Sequence, residues 1–201
     1  GSFPKNSHVT KEYIVNNSKT KGPVMKKGFI VNNIFILSKK VILVEGNAEY
    51  ILMEKFFEII HSEDASNCGV AIISVDGLSF KRYLEIAKGF TDKKVAVITD
   101  NDGDYQSKVL DRYSEYDSYD NIKVFSDSID TNRTFEVCLY NKNSDLIDSL
   151  GITLTDNIQE FMLREKAEFA LRLLTKLNDS LQESFNIPDY IKEAIEWVKN
   201  D

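Results

Sequence analysis

The chain has 201 residues, enough for one good core and an appendage. With 42% hydrophobic and 28% charged residues, 12 Phe and 9 Tyr, it is not a disordered chain. A net charge of -7 argues against a protein that holds nucleic acid by a basic surface alone, though not against an enzyme whose acids are filled by metal.

Residues 1 to about 25 are polar and without period, a linker or detached edge. "FIVNNIFIL" (29–37) is apolar enough to pack, as a strand or hairpin, and 1–37 together form an N-terminal extension. From Lys40 the pattern changes. "KVILVE" reads as a buried strand and "NAEYILMEKFFEIIH" as a helix. "GVAIIS" (69–74) is a second strand, followed after Asp76-Gly77 by the helix "SFKRYLEIAKGF". "KKVAVIT" (93–99) is a third strand. A loop, "DNDGDY", leads through a helical or irregular stretch to the fourth, "NIKVF" (121–125). Alternating strands and helices over 38–128 predict an α/β fold, a parallel sheet covered on both faces. Residues 129–201 read as helical: "TFEVCLY", one long amphipathic helix from about Asp156 to Leu177, and "PDYIKEAIEWVKN" with Pro188 at its start.

Two cysteines, Cys68 and Cys138, are too few for a disulfide scaffold and suit a reducing compartment such as the cytoplasm. No apolar run approaches the roughly 18 residues of a membrane span, and no signal peptide is visible, so no membrane partner is expected. The opening Gly1-Ser2, without an initiator Met, suggests a domain cut from a longer protein.

Ligands of open α/β sheets sit at the carboxyl ends of the strands. Glu45 closes the first strand there; Asp100 closes the third, and Asp102 follows at once. Gly46 is read as permitting a tight turn, and Asn47 as the cap of the next helix. Glu49 shares a helix face with Leu52, Met53, Phe56 and Ile60, so it points inward. The structural alternative is a first-turn acid complementing the helix dipole. "TDNDGDY" is either a polar turn or a set of acids at alternate positions. As a calcium EF-hand loop it fails, because Tyr105 stands where Gly is needed and Asp111 where Glu is needed. Lys166 falls by spacing in the middle of an apolar face made by Met162, Phe169, Leu173 and Leu177. It either snorkels to water or is a cation aimed at a buried anionic site. Glu136, after Arg133, reads by itself as an ordinary helix acid. The two histidines, His8 in the polar tail and His61 at a helix end, make a zinc cluster or a His base a poor reading. A carboxylate cluster with one lysine suits Mg²⁺ or Mn²⁺.

"VILVEG" with Glu49, and "VAVITDNDGD" some fifty residues on, resemble the Toprim fold of topoisomerases, primases and some nucleases. "LVEGNAEYILM", "ISVDGLSFKRYL", "VITDNDGD", "TFE", "REKAEFAL" and "IPDYIKEAIEW", in this order, narrow the resemblance to the nuclease half of OLD (overcoming lysogenization defect) family endonucleases, over about residues 38 to 200. The resemblance implies a Toprim-like sheet flanked by helices, with the helical extension completing the active site. It implies a metal-dependent endonuclease acting on DNA. Glu45, Glu49, Asp100 and Asp102 are then ligands of one or two Mg²⁺ or Mn²⁺ ions, and Glu136 a ligand of the second. Lys166 neutralises charge in the transition state, with Glu45 and Asp100 also placed at the chemistry. Asp104, through water, and Arg133, toward phosphate, are weaker candidates. Asp76 departs from the Gly often found there, with no role assigned. The family carries an ABC-type ATPase ahead of this domain; no GxxxxGK[ST] pattern occurs here. Two other readings stay open: a phosphatase of the haloacid-dehalogenase type, with Asp100 as nucleophile, and a Toprim-fold assembly module without chemistry.

Overall fold

The computed structural model describes residues 33–77, 79–153, 157–178 and 182–200. The chain divides into two compact units between Leu37 and Ser38. In the first, Asn33–Leu37 is a short helix (α1), not the expected strand or hairpin. A short apolar run has no period to separate the two. The linker at 1 to about 25, and the rest of "FIVNNIFIL", lie outside the described residues.

The second unit is built on a parallel sheet of β1 (Lys40–Val44), β2 (Val70–Ser74), β3 (Lys94–Ile98) and β4 (Ile122–Phe125), in the order β2-β1-β3-β4. β1 and β3 are buried at four of five positions each, which is why both read as unbroken apolar runs. Parallel neighbours need long crossovers. α2 (Asn47–His61) and α3 (Phe80–Ala87) supply the first two; a π-helical turn, Gln106–Asp111, and a 3₁₀ turn, Ser114–Tyr116, supply the third. From β1 the chain moves outward to β2 and then returns to β3 on β1's other side. That reversal makes the carboxyl ends of β1 and β3 the topological switch point, where such sheets bind ligands.

Among the described residues four helices follow: α4 (Phe135–Ser149), α5 (Ile158–Arg164), α6 (Lys166–Lys176) and α7 (Asp189–Lys199). The single helix expected from about Asp156 to Leu177 is therefore two. Glu165, at φ -115 and ψ 51, interrupts it. Neither glycine nor proline marks the break, and the apolar spacing runs across it: Met162, Phe169, Leu173 and Leu177 are all buried.

The C-terminal helices share the core of the sheet unit. Phe56 of α2 stacks on Phe185 at 5.8 Å between ring centroids and meets Phe135 at 6.5 Å. Burying side chains of this size contributes about 1.5–3 kcal/mol each. At the other end of the sheet, the last carbonyls of α7 are received by lysines. Lys94 Nζ donates to Trp197 O at 3.0 Å and Asn200 O at 2.6 Å, and Lys40 Nζ to Lys199 O at 2.6 Å. Cations there complement the helix dipole.

Candidate metal centre

At the switch point Glu45 bridges two strand ends. Its Oε1 accepts from Thr99 Oγ1 at 2.6 Å and from the Asp100 N–H at 3.1 Å. Asp100 in turn ties the sheet to α4, its Oδ1 accepting from the Phe135 N–H at 2.7 Å. That places a carboxylate at a helix N-terminus, where free amides welcome it. Thr134 caps the same helix, its Oγ1 accepting from the Val137 N–H at 3.4 Å. Glu136, next to Phe135, is thereby turned inward and is fully buried.

Glu49 is 6% exposed, on the buried face with Leu52, Met53 and Phe56. The cap of α2 differs from expectation. Gly46 is the N-cap, with no side-chain cap bond, and the exposed Asn47 is the first helical residue. Nor does Gly46 make a left-handed turn; its φ of -148 is open to any residue. A Cβ there would lie 3.5 Å from Glu49 Oε2, so the Glu49 carboxylate folds back against the loop after β1.

Lys166 opens α6 and reaches back to Glu136, with Nζ 3.0 Å from Oε2. It is 46% exposed, not mid-face on one long helix. The ion pair reaches Oε2; Oε1 is buried with no hydrogen-bond partner among the described residues.

The remaining candidates lie around this group. Asp102 is exposed, at a left-handed φ of 51, and Gly103 follows at 83. Asp carries that conformation better than most side chains. Arg133 is exposed beside Asp102 and Glu136, in a cleft of about 520 Å³, and its carbonyl accepts the Asp102 N–H at 3.1 Å. Asp104 is occupied as a cap, its Oδ1 accepting from the Ser107 N–H at 3.0 Å.

The charges act on one another. Burial, then repulsion from Glu136 and Glu45, pushes the Glu49 carboxyl up to about 7, with Lys166 opposing. Burial, then Glu45, Glu49 and Glu136, pushes Asp100 up to about 8. Burial works against the Lys166 charge, but Glu136, Asp100 and Glu49 outweigh it and hold the ammonium above its ordinary value. Among the described residues no three His, Cys, Asp or Glu side chains are gathered tightly enough to grip an ion as they stand. The donor set nevertheless fits a hard divalent cation. It is all carboxylate, and of the two oxygens that Glu136 buries, Lys166 meets Oε2 while Oε1 has no partner among the described residues.

Several participants have no sequence signal of their own. Thr99 fixes Glu45. Asn101, 1% exposed, staples the Asp102 loop: its amide donates to Asp127 O at 2.8 Å and Ile129 O at 3.0 Å, and its oxygen accepts from the Gly103 N–H at 2.8 Å. Tyr190 of α7 is buried within the field of Asp100 and Glu49, and burial holds its hydroxyl far above its ordinary range.

A four-stranded parallel sheet flanked by helices, with acids after β1 and β3 at the switch point, is a Toprim-like α/β fold. Residues 36–102 match the family model of the overcoming lysogenization defect protein-like TOPRIM domain. Among solved structures, the C-terminal region of the Burkholderia pseudomallei OLD protein is similar, with a TM-score of 0.55 and 18% identity, over 81% of this chain and 98% of that one. The C-terminal region of the Xanthomonas campestris pv. campestris OLD protein is similar with a TM-score of 0.51 and 19% identity, over 83% and 95%. At these identities the likeness is one of fold. No curated protein sequence matches. Among the described residues no helix is long and apolar enough to cross a membrane.

Proposed function

We propose that the chain is a divalent-metal-dependent DNA endonuclease, the nuclease part of a larger protein with an ABC-type ATPase. An OLD-like Toprim domain supports nuclease-type chemistry in general. The observation that carries the finer reading is Glu136: a carboxylate with no exposure, one oxygen met by the Lys166 cation at 3.0 Å and the other without a partner among the described residues, delivered by α4 to acids from β1, α2 and β3. An apo cluster of this kind is costly unless a cation offsets it.

Glu45, Glu49, Asp100 and Asp102 would hold Mg²⁺ or Mn²⁺, with Glu136 serving a second ion. One or two such ions, when bound, supply a lowered pKa for an attacking water and charge stabilisation for the leaving oxygen. The protein's own residues do the rest. Thr99 and the Asp100 N–H hold Glu45 in one orientation, and the Phe135 N–H does the same for Asp100. Lys166, half exposed, is free to leave Glu136 for the negative charge that grows on the phosphoryl group. Arg133 at the cleft rim meets the strand. No observation favours the phosphatase reading, which leaves Glu45, Glu49 and Glu136 without a role. A module without chemistry would have no use for a fully buried Glu136 among other carboxylates.

The test is incubation of supercoiled plasmid with the 201-residue chain in Mg²⁺, Mn²⁺, Ca²⁺ or EDTA. Nicked or linear product in Mg²⁺ or Mn²⁺, abolished by EDTA and by Asp100→Asn, is expected. A folded protein that leaves the plasmid intact with every ion contradicts the reading.

A further inference from the structure

Arg112 follows the π-helical turn Gln106–Asp111 and stands exposed at a second cleft, of about 310 Å³. Val75 and Gly77, after β2, form one wall, and Tyr113 lines it too. The cleft shares Glu45 and Asp102 with the metal centre. Among the described residues Arg112 makes no ion pair, although two carboxylates of the centre line the same cleft. Its guanidinium is instead 5.4 Å from the centroid of the Tyr113 ring, a cation–π contact that holds it at the cleft. Tyr113 is a firm support, being 3% exposed.

A guanidinium fork placed beside acids yet unpaired with them is available for an outside anion, and planar phosphate recognition is what it does best. Lys166 approaches the acids by a different cleft, lined by Glu45, Gly46, Glu49 and Lys166 itself. The two clefts meet at Glu45. A nucleic-acid strand laid across Glu45 thus passes from one cation to the other.

Resting on the nuclease reading, we propose that Arg112 is a phosphate-binding subsite, which holds a phosphodiester of the strand next to the one that is cleaved. It is a binding group, separate from the transition-state role of Lys166. Tyr113 is a positioning residue that keeps the guanidinium over the cleft.

The experiment is fluorescence anisotropy of a fluorescein-labelled single-stranded oligonucleotide in Ca²⁺, across a salt series, with the wild type, Arg112→Ala, Arg112→Lys, Tyr113→Ala and Lys123→Ala. Cleavage of the same oligonucleotide in Mn²⁺ is followed separately. Arg112→Ala should weaken binding roughly ten- to a hundredfold, as expected for a charged hydrogen-bonded contact. It should also make the dependence of log Kd on log salt shallower by about 0.7, one phosphate contact on a single strand. Arg112→Lys keeps the slope while losing part of the affinity, Tyr113→Ala weakens binding with the slope kept, and Lys123→Ala, whose cation lies over Phe125, behaves as wild type. An unchanged Kd and slope for Arg112→Ala, the same loss in Lys123→Ala, or a wild type that binds no oligonucleotide overturns the subsite. A wild type that binds in Ca²⁺ but cleaves nothing in Mn²⁺ overturns the nuclease reading instead, and the binding comparison still decides on Arg112.

Discussion

Each acid of the centre has one oxygen committed to the fold or none at all, and that difference sets what its replacement does. Glu45 Oε1 and Asp100 Oδ1 accept hydrogen bonds that an amide oxygen also accepts. Glu45→Gln and Asp100→Asn should therefore abolish cleavage while melting temperature in EDTA stays level or rises, because a neutral group replaces a carboxylate whose charge the crowded site disfavours. A fall of many degrees would make these acids structural. The same crowding gives a pH dependence. Without metal, the folded chain keeps protons on Glu49 and Asp100 up to about 7 and about 8, against ordinary values of 4.5 and 3.8. The folded state then binds protons that the unfolded state has released. This stability is whole below the ordinary values and lost as pH rises through 7 to 8. In EDTA the melting temperature should drop between pH 6 and pH 8.5, and Glu49→Gln should flatten the drop. A metal-free melting curve that is level over that range would contradict it. Lys166→Ala should retain metal but lose about 2.7–4 kcal/mol of transition-state stabilisation, or about a hundred- to a thousandfold in single-turnover cleavage at saturating Mn²⁺. Lys166→Arg should rescue little, since a planar fork replaces a compact charge. Wild-type rates for Lys166→Ala would leave the lysine as a partner of Glu136 and nothing more.

Elements hold these residues where they are, and the irregular ones matter most. The loop after β3 keeps Asp102 at a positive φ because Asn101 ties it to main-chain atoms of 127–129. Asn101→Ala strands those groups, at about 1–3 kcal/mol. Urea unfolding should show that loss, and cleavage should fall by more than the loss of folded protein accounts for. Wild-type stability and rate would remove the staple from the account. Regular elements were legible in the sequence: β1 and β3 are continuous apolar runs ended by Glu45 and Asp100, and α2 carries Glu49 on its apolar face. Irregular ones were not. Nothing marked Glu165 as a break, so Lys166 read as the middle of one helix and not the start of a second. Asn101 looked like one more turn former. Arg112 and Thr99 were silent because their roles depend on which strand ends come together.

At the scale of the molecule, the centre draws on distant parts of the chain: β1 and α2 early, β3 in the middle, α4 and α6 late. The shared core around Phe56, Phe135 and Phe185 is what makes that assembly rigid enough to hold like charges together. Sequence patterning indicated the sheet and two of its acids at one edge. How Glu136 and Lys166 reach that edge depends on the Asp100–Phe135 bond and the α5–α6 break, which no local pattern records. The most direct measurement is anomalous scattering from a crystal soaked in Mn²⁺. Peaks are predicted among Glu45, Glu49, Asp100 and Asp102, with Glu136 at or beside one of them and Lys166 displaced toward solvent. Manganese bound elsewhere, with none at these acids, would contradict the account.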